Sequence, residues 1–195
     1  MTDLAKRPIR HVFCEKPLVN TLDELERVEK AFAKSKVKVA VNHTRRFLPQ
    51  VLEVKSNIDR GIYGEYLYAV GHFGNGLIHD GCHMVDLMLY LVDTVENFHF
   101  HEISSRFYRI FELDVFFDKA RVRFTDFGWQ IKVSNVKLSP FYHWQMHIVE
   151  DTVIPCAIDR AIYDALDLFE SPTSTLKSAG RTLRECFRLS SMSER

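Results

Sequence analysis

Ile9-Arg10-His11-Val12-Phe13-Cys14-Glu15-Lys16-Pro17 is a short apolar, β-branched run that breaks into a charged tripeptide closed by proline. Strand formers occupy residues 9–14 and turn chemistry occupies 15–17, so the stretch predicts a strand that delivers Glu15, Lys16 and Pro17 to its carboxyl end. Thr21 followed by Glu24 makes a capping box, with each side chain placed to satisfy the other residue's free backbone N–H. Leu22, Leu25, Val28 and Phe32 then form an apolar stripe at helical spacing, which predicts a helix ending near Ser35. Residues 37–41 (VKVAV) become continuously apolar, as a strand in a buried parallel sheet does, so residues 9–41 predict one βαβ unit.

The rest of the chain changes character. A helix is expected over about 48–60, with Pro49 in its first turn and Gly61 and Gly64 closing it. Segments 66–73, 98–107, 111–117, 121–127, 129–133 and, more weakly, 136–144 alternate apolar and polar residues and predict a mainly antiparallel sheet. Between the first two, residues 78–91 carry Ile78, Cys82, Val85, Leu87, Met88 and Leu91, a mostly apolar helix that must be buried. Helices over 158–169 and 174–190 are expected on either side of Ser171-Pro172. The fold class is therefore α+β: a small βαβ unit over residues 1–45, then an α+β domain over 46–195 with a large open sheet. One βαβ unit has two sheet edges and little buried area, so it needs the larger layer or another chain to pack on.

Twenty-six acidic residues balance 26 basic ones, which removes the net field that would draw nucleic acid or an anionic membrane. Residues 1–10 are polar and contain Pro8, so they read as neither a secretory signal nor a membrane span. Cys14, Cys82, Cys156 and Cys186 stand far apart with no C-x-x-C pair, a pattern that fits free thiols and a reducing cytoplasm.

Three stretches carry candidate chemistry. Lys16 lies just past a presumed parallel strand, where open α/β sheets place ligands, and can hydrogen-bond to or exchange a proton with a substrate hydroxyl; an exposed loop lysine is the plain alternative. In Gly74-Asn75-Gly76-Leu77-Ile78-His79-Asp80-Gly81-Cys82-His83-Met84-Val85-Asp86, helical spacing puts His79, His83 and Asp86 on one face. That face supports a network of core hydrogen bonds, an acid/base site around a histidine, or a two-histidine, one-carboxylate metal site using His79, His83 and Asp86. The third stretch, Asn42-His43-Thr44-Arg45-Arg46-Phe47, follows the second strand; its paired arginines can bind phosphate or carboxylate, or, for Arg46, pin a helix start through local ion pairs.

Taken in order, Val12-Phe13-Cys14-Glu15-Lys16-Pro17-Leu18, Arg45-Arg46-Phe47-Leu48-Pro49, Gly81-Cys82-His83-Met84-Val85-Asp86-Leu87 and Phe124-Thr125-Asp126-Phe127-Gly128-Trp129 resemble the glucose-fructose oxidoreductase and inositol dehydrogenase family, Gfo/Idh/MocA. The resemblance implies a Rossmann-type domain followed by an α+β domain whose sheet often forms a dimer interface, with NAD or NADP between them. It implies hydride transfer at a secondary hydroxyl or ketone of a sugar or polyol. It also implies that Lys16 contacts the substrate hydroxyl and nicotinamide, that His83 transfers the proton, and that Glu15 and Pro17 line the nicotinamide pocket. The candidate catalytic set is thus Lys16, His83, His79 and Asp80, with Asn42 added on the cofactor side and Arg45, Asp80 and His83 on the substrate side.

Two departures from the family pattern stand out. No G-x-G-x-x-G turn precedes Ile9, so the expected Rossmann unit is truncated, as though the sequence starts within the nucleotide domain. The aspartate that many members place four residues before the motif histidine is His79 here, with Asp80 beside it. The expectations are accordingly an oxidoreductase whose nucleotide site needs further residues, a catalytically silent sugar-binding or assembly paralogue, or the metal-dependent site. A homodimer formed through the sheet is the expected assembly.

Overall fold

The computed structural model of the chain describes residues 1–139, 146–156 and 173–193. Strands β1 (His11–Cys14) and β2 (Lys38–Val41) pair in parallel, with His11 opposite Lys38 and Cys14 opposite Val41. Helix α1 (Leu22–Phe32) makes the crossover between them, which completes the βαβ unit. At its start the Thr21 hydroxyl accepts from the Glu24 N–H at 3.2 Å, but the Glu24 carboxylate accepts from the N–H of Asn20, not that of Thr21. Leu25, Val28 and Phe32 are buried while Leu22 faces solvent, so the apolar stripe is one residue narrower than its sequence spacing suggests.

The small unit is not covered by its own residues alone. Val12, Leu18, Val39 and Val41 form a core with Ala179 and Leu183 of the C-terminal helix α4 (Leu176–Ser193). The same end of the chain closes the β2 edge, where the Val41 N–H donates to the Ser174 carbonyl at 3.1 Å and Ala40 bridges to Thr175. Packing from the far end of the sequence therefore supplies the apolar area that a lone βαβ unit lacks.

The large sheet contains β3 (Tyr66–Phe73), β4 (Phe98–Glu102), β5 (Phe111–Phe117), β6 (Ala120–Thr125), β7 (Gln130–Leu138) and β8 (Met146–Pro155). Its order is β4-β3-β5-β6-β7-β8, antiparallel throughout except for the parallel β3–β4 pair. That one parallel step requires a crossover, and helix α3 (Cys82–Val92) provides it. Period-two alternation sends Leu113, Val115, Val122 and Phe124 inward, and α3 lies on them with Met84, Leu87, Met88 and Leu91 buried. The approach is close at Gly71, where a Cβ would stand 2.1 Å from the Met84 sulfur. Helix α2 (Pro49–Asp59) has Pro in its first turn and packs Val51 and Val54 into the same core.

Several boundaries differ from the sequence reading. β4 stops at Glu102 instead of running to residue 107. The expected segment 129–133 and the start of 136–144 join in one longer strand, β7, whose register shifts between Ser134 and Asn135; that irregularity interrupts the alternation and hides the continuity, while residues 140–144 of the second expected segment lie outside the described residues. β8 was not anticipated. The helix expected over 158–169 lies outside the described residues. Among the described residues no helix is long and apolar enough to cross a membrane.

Candidate active site

The carboxyl ends of β1 and β2 place two candidate stretches side by side. The Asn42 amide donates to the Glu15 carboxylate at 2.9 Å, and the Asn42 N–H donates to the Cys14 carbonyl at 2.8 Å, so the two strand ends are tied together. The Lys16–Pro17 peptide bond is cis. From this platform Lys16 reaches across to the segment before α3: its Nζ donates to the His79 carbonyl at 2.7 Å and lies 3.7 Å from Asp80 Oδ1.

That segment, Leu77–Gly81, is a π-helical turn, entered through Asn75 and Gly76 at φ of 60° and 82°. The Gly81 N–H bonds to the Gly76 carbonyl five residues back. His79 and His83 line different clefts and do not converge as their spacing predicts. His79 lines a separate cleft of about 660 Å3 with Ile78, Phe100 and His101. His83, Asp80 and Arg45 line another, of about 210 Å3, with Arg109, Phe111 and Phe127. His79 therefore contributes its backbone to the Lys16 site, its carbonyl also accepting from the Cys82 thiol at 3.0 Å, while its imidazole stands elsewhere.

His83 sits in the first turn of α3, edge-on to His43 with ring centroids 5.9 Å apart. Its Nδ1 is buried with no hydrogen-bond partner among the described residues. Burial, reinforced by Arg45, His43 and Lys16, holds the imidazole well below its ordinary pKa, so it is neutral at pH 7. His43 is lowered too, chiefly by burial and against the pull of Asp86. The Cys82 thiol at the helix start is pushed up to about 12 by burial, which rules it out as a thiolate nucleophile.

Asp86 faces away from this cleft. It is 1% exposed and accepts from Arg46 Nε at 2.6 Å and from the Thr182 hydroxyl at 2.9 Å. His43 Nδ1 is 3.6 Å from its other side, too far for a hydrogen bond. Arg46 also donates to the Asp86 and Thr173 carbonyls, so it pins the 3-10 turn Thr44–Phe47 to α3 and to the segment before α4. The metal set of His79, His83 and Asp86 is accordingly not assembled, because the histidines line different clefts and Arg46 holds the carboxylate. Among the described residues no three His, Cys, Asp or Glu side chains converge as ligands.

Arg45, the neighbour of that buried arginine, turns the other way. Its guanidinium lies 3.4 Å from the centre of the Phe111 ring and donates from Nη2 to the Phe127 carbonyl at 2.8 Å. Left-handed backbone at Asp126, Phe127 and Gly128 aims that carbonyl inward. Burial lowers Arg45 to about 10, against the opposing charge of Asp80. Arg109, at the cleft mouth, has no counterpart in the sequence reading. The signal was a loop, 103–110, containing two solvent-exposed aromatic residues, Phe107 and Tyr108, beside a cation.

Residues 1–43 match the model of an oxidoreductase family with an NAD-binding Rossmann fold, GFO_IDH_MocA. Over 65 residues the chain is 31% identical to a D-xylose dehydrogenase of Paenarthrobacter nicotinovorans, a stretch covering 33% of this chain and 17% of that relative. Among solved structures, an NAD-binding oxidoreductase from Klebsiella pneumoniae superposes with a TM-score of 0.75 at 14% identity, over 95% of this chain and 72% of the other. A putative NADPH-dependent oxidoreductase from Desulfitobacterium hafniense gives 0.74 at 15% identity, over 100% and 74%. A super-repressor mutant of Gal80p from Saccharomyces cerevisiae gives 0.73 at 12% identity, over 96% and 72%. The family resemblance is thus borne out in sequence over residues 1–43 and in fold across the chain.

Proposed function

Starting from a chain of the Gfo/Idh/MocA oxidoreductase family, we propose that it works as an NAD(P)-dependent dehydrogenase on a sugar or polyol, exchanging a secondary hydroxyl for a ketone. The observation that carries this reading is the convergence of Lys16, from the carboxyl end of a parallel strand pair, with Asp80 and His83 at the start of α3, where a buried imidazole nitrogen has no hydrogen-bond partner among the described residues. Native structures satisfy nearly all buried polar atoms, so a ligand group or a water can complete such a nitrogen where it borders a cleft.

The residues fit the nicotinamide end of a dinucleotide. Glu15 and Asn42, bonded to each other at the strand ends, and Pro17 beside them are the residues that would hold the nicotinamide, and Lys16 reaches from there to the His79 carbonyl. When bound, the nicotinamide supplies the hydride acceptor or donor. His83, kept neutral by burial, accepts the hydroxyl proton at an imidazole nitrogen during oxidation and returns it during reduction. Lys16, fixed by the His79 carbonyl and Asp80, donates a hydrogen bond to the same oxygen and orients it. The similarity to a D-xylose dehydrogenase supports a polyhydroxylated substrate. A homodimer through the outer face of the six-stranded sheet is part of the proposal, and sedimentation at two concentrations tests it.

The functional test is reduction of NAD+ or NADP+ by a panel of aldoses and polyols, in the wild type and in Lys16→Ala and His83→Gln. Turnover lost in both variants supports the assignment. Sugar binding without turnover favours instead the silent sugar-binding reading.

A further inference from the structure

The charges around the cleft are unbalanced. Among the described residues Arg45 and Arg109 line it, and Lys16 stands behind it, against one acidic lining residue, Asp80, which already lies 3.7 Å from Lys16. His83 adds no positive charge, because it is neutral. Glu15 is turned to Asn42, on the platform and not in the cleft.

The two arginines also retain donors. Arg45 Nε is buried with no hydrogen-bond partner among the described residues, although Nη2 is fixed by the Phe127 carbonyl and the guanidinium face rests on Phe111. Its plane is thus held in place before any ligand arrives. Arg109 is exposed at the mouth, with no hydrogen bond or ion pair among the described residues. The adjacent Arg46 shows the contrast, its guanidinium bonded to the Asp86 carboxylate and to two backbone carbonyls. A guanidinium held on a ring with donors left over matches a planar carboxylate, which takes parallel N–H bonds. The cleft of about 210 Å3 is of a size that takes a single sugar ring.

We infer that the substrate is an acidic monosaccharide, of the uronic or aldonic acid class, whose carboxylate is held between Arg45 and Arg109 while its hydroxyl faces Lys16 and His83. The inference rests on the dehydrogenase reading for the hydroxyl end only; the anion site stands on the arginines.

Calorimetric titration of the full chain with D-glucuronate, D-glucose and glucose 6-phosphate, with and without NAD+, tests it. Glucuronate should bind about tenfold or more tightly than glucose, as one charge-assisted pair implies. Arg109→Gln, an exposed substitution that leaves core contacts intact, should cut that ratio by about tenfold, and Arg45→Lys, which keeps the charge and removes the fork, should cut it as well. Equal affinity for glucuronate and glucose overturns the inference. Tighter binding of glucose 6-phosphate overturns the carboxylate assignment, and competition between glucuronate and NADH assigns the arginines to the cofactor. Glucuronate binding without turnover leaves the inference standing and removes the dehydrogenase reading; turnover of neutral sugars with no charge preference does the reverse.

Discussion

Two clusters of buried polar groups meet on helix α3, one turn apart, and they differ in whether their hydrogen bonds are complete. Around Asp86, the carboxylate is bonded to Arg46 and Thr182, and Arg46 is bonded onward to Thr173. Around His83, the imidazole Nδ1, the Arg45 Nε and the Nδ1 of His43, which packs edge-on against His83 and stands 3.6 Å from Asp86, have no hydrogen-bond partner among the described residues. The complete cluster joins the 3-10 turn after β2, helix α3 and helix α4, and its role is to hold the fold. The incomplete one opens on a cleft, and its role is to meet a ligand. Sequence spacing alone treats Asp86 and His83 as equivalents; hydrogen-bond completeness tells them apart.

If that contrast is right, stability should respond to the two clusters in opposite measure. Asp86→Ala leaves Arg46 buried without its counter-charge and should cost about 3–5 kcal/mol in urea unfolding. Thr182→Val removes one donor to the same carboxylate and should cost about 2 kcal/mol. Acid should act through the histidines. His83 and His43 are lowered by burial, so below about pH 6.5 the unfolded chain takes up protons that the folded chain refuses. Each then removes about 1.4 kcal/mol of stability per pH unit as pH falls from 6.5 toward its folded-state pKa, with the full contribution present above 6.5. Unfolding curves of His83→Gln between pH 7 and pH 5 should accordingly be less pH-dependent than those of the wild type. Thr21→Ala, which removes the α1 cap far from either cluster, should cost about 1 kcal/mol. Smallest of all, His83→Gln at pH 7 should change stability by less than about 1 kcal/mol while lowering sugar-dependent turnover by about 10²-fold or more. A large stability loss in His83→Gln, or a small one in Asp86→Ala, breaks the comparison.

Most of the architecture was legible from local pattern. The βαβ unit followed from a strand ended by Glu15-Lys16-Pro17, a cap at Thr21 and an apolar strand at 37–41, all short-range features. β3 and β5 have the bounds that period-two alternation predicts, because each has one face on α3 or the core. The site was legible in composition and less so in geometry. Lys16, Asp80, Arg45 and His83 do come together, from strand ends and a helix start that motif order made neighbours. His79 was misplaced because helical spacing does not show that its carbonyl, and not its ring, meets Lys16. Asp86 looked available because its partners, Arg46 and Thr182, lie 40 and 96 residues away. Arg109 was missed for a related reason: a loop brings it to the cleft, and no periodicity marks it. β7 escaped because its irregularity at Ser134 and Asn135 breaks the alternation on which strand recognition rests.

The central claim is that the strand-end platform and Lys16 serve a nicotinamide cofactor, and direct titration of the protein with NADH and NADPH, followed by nicotinamide fluorescence, tests it most closely. Saturable binding of at least one of the two, weakened in Lys16→Ala and retained in Thr21→Ala, is the predicted result. No saturation with either nucleotide up to about millimolar concentration, a binding free energy weaker than about −4 kcal/mol, would contradict the account.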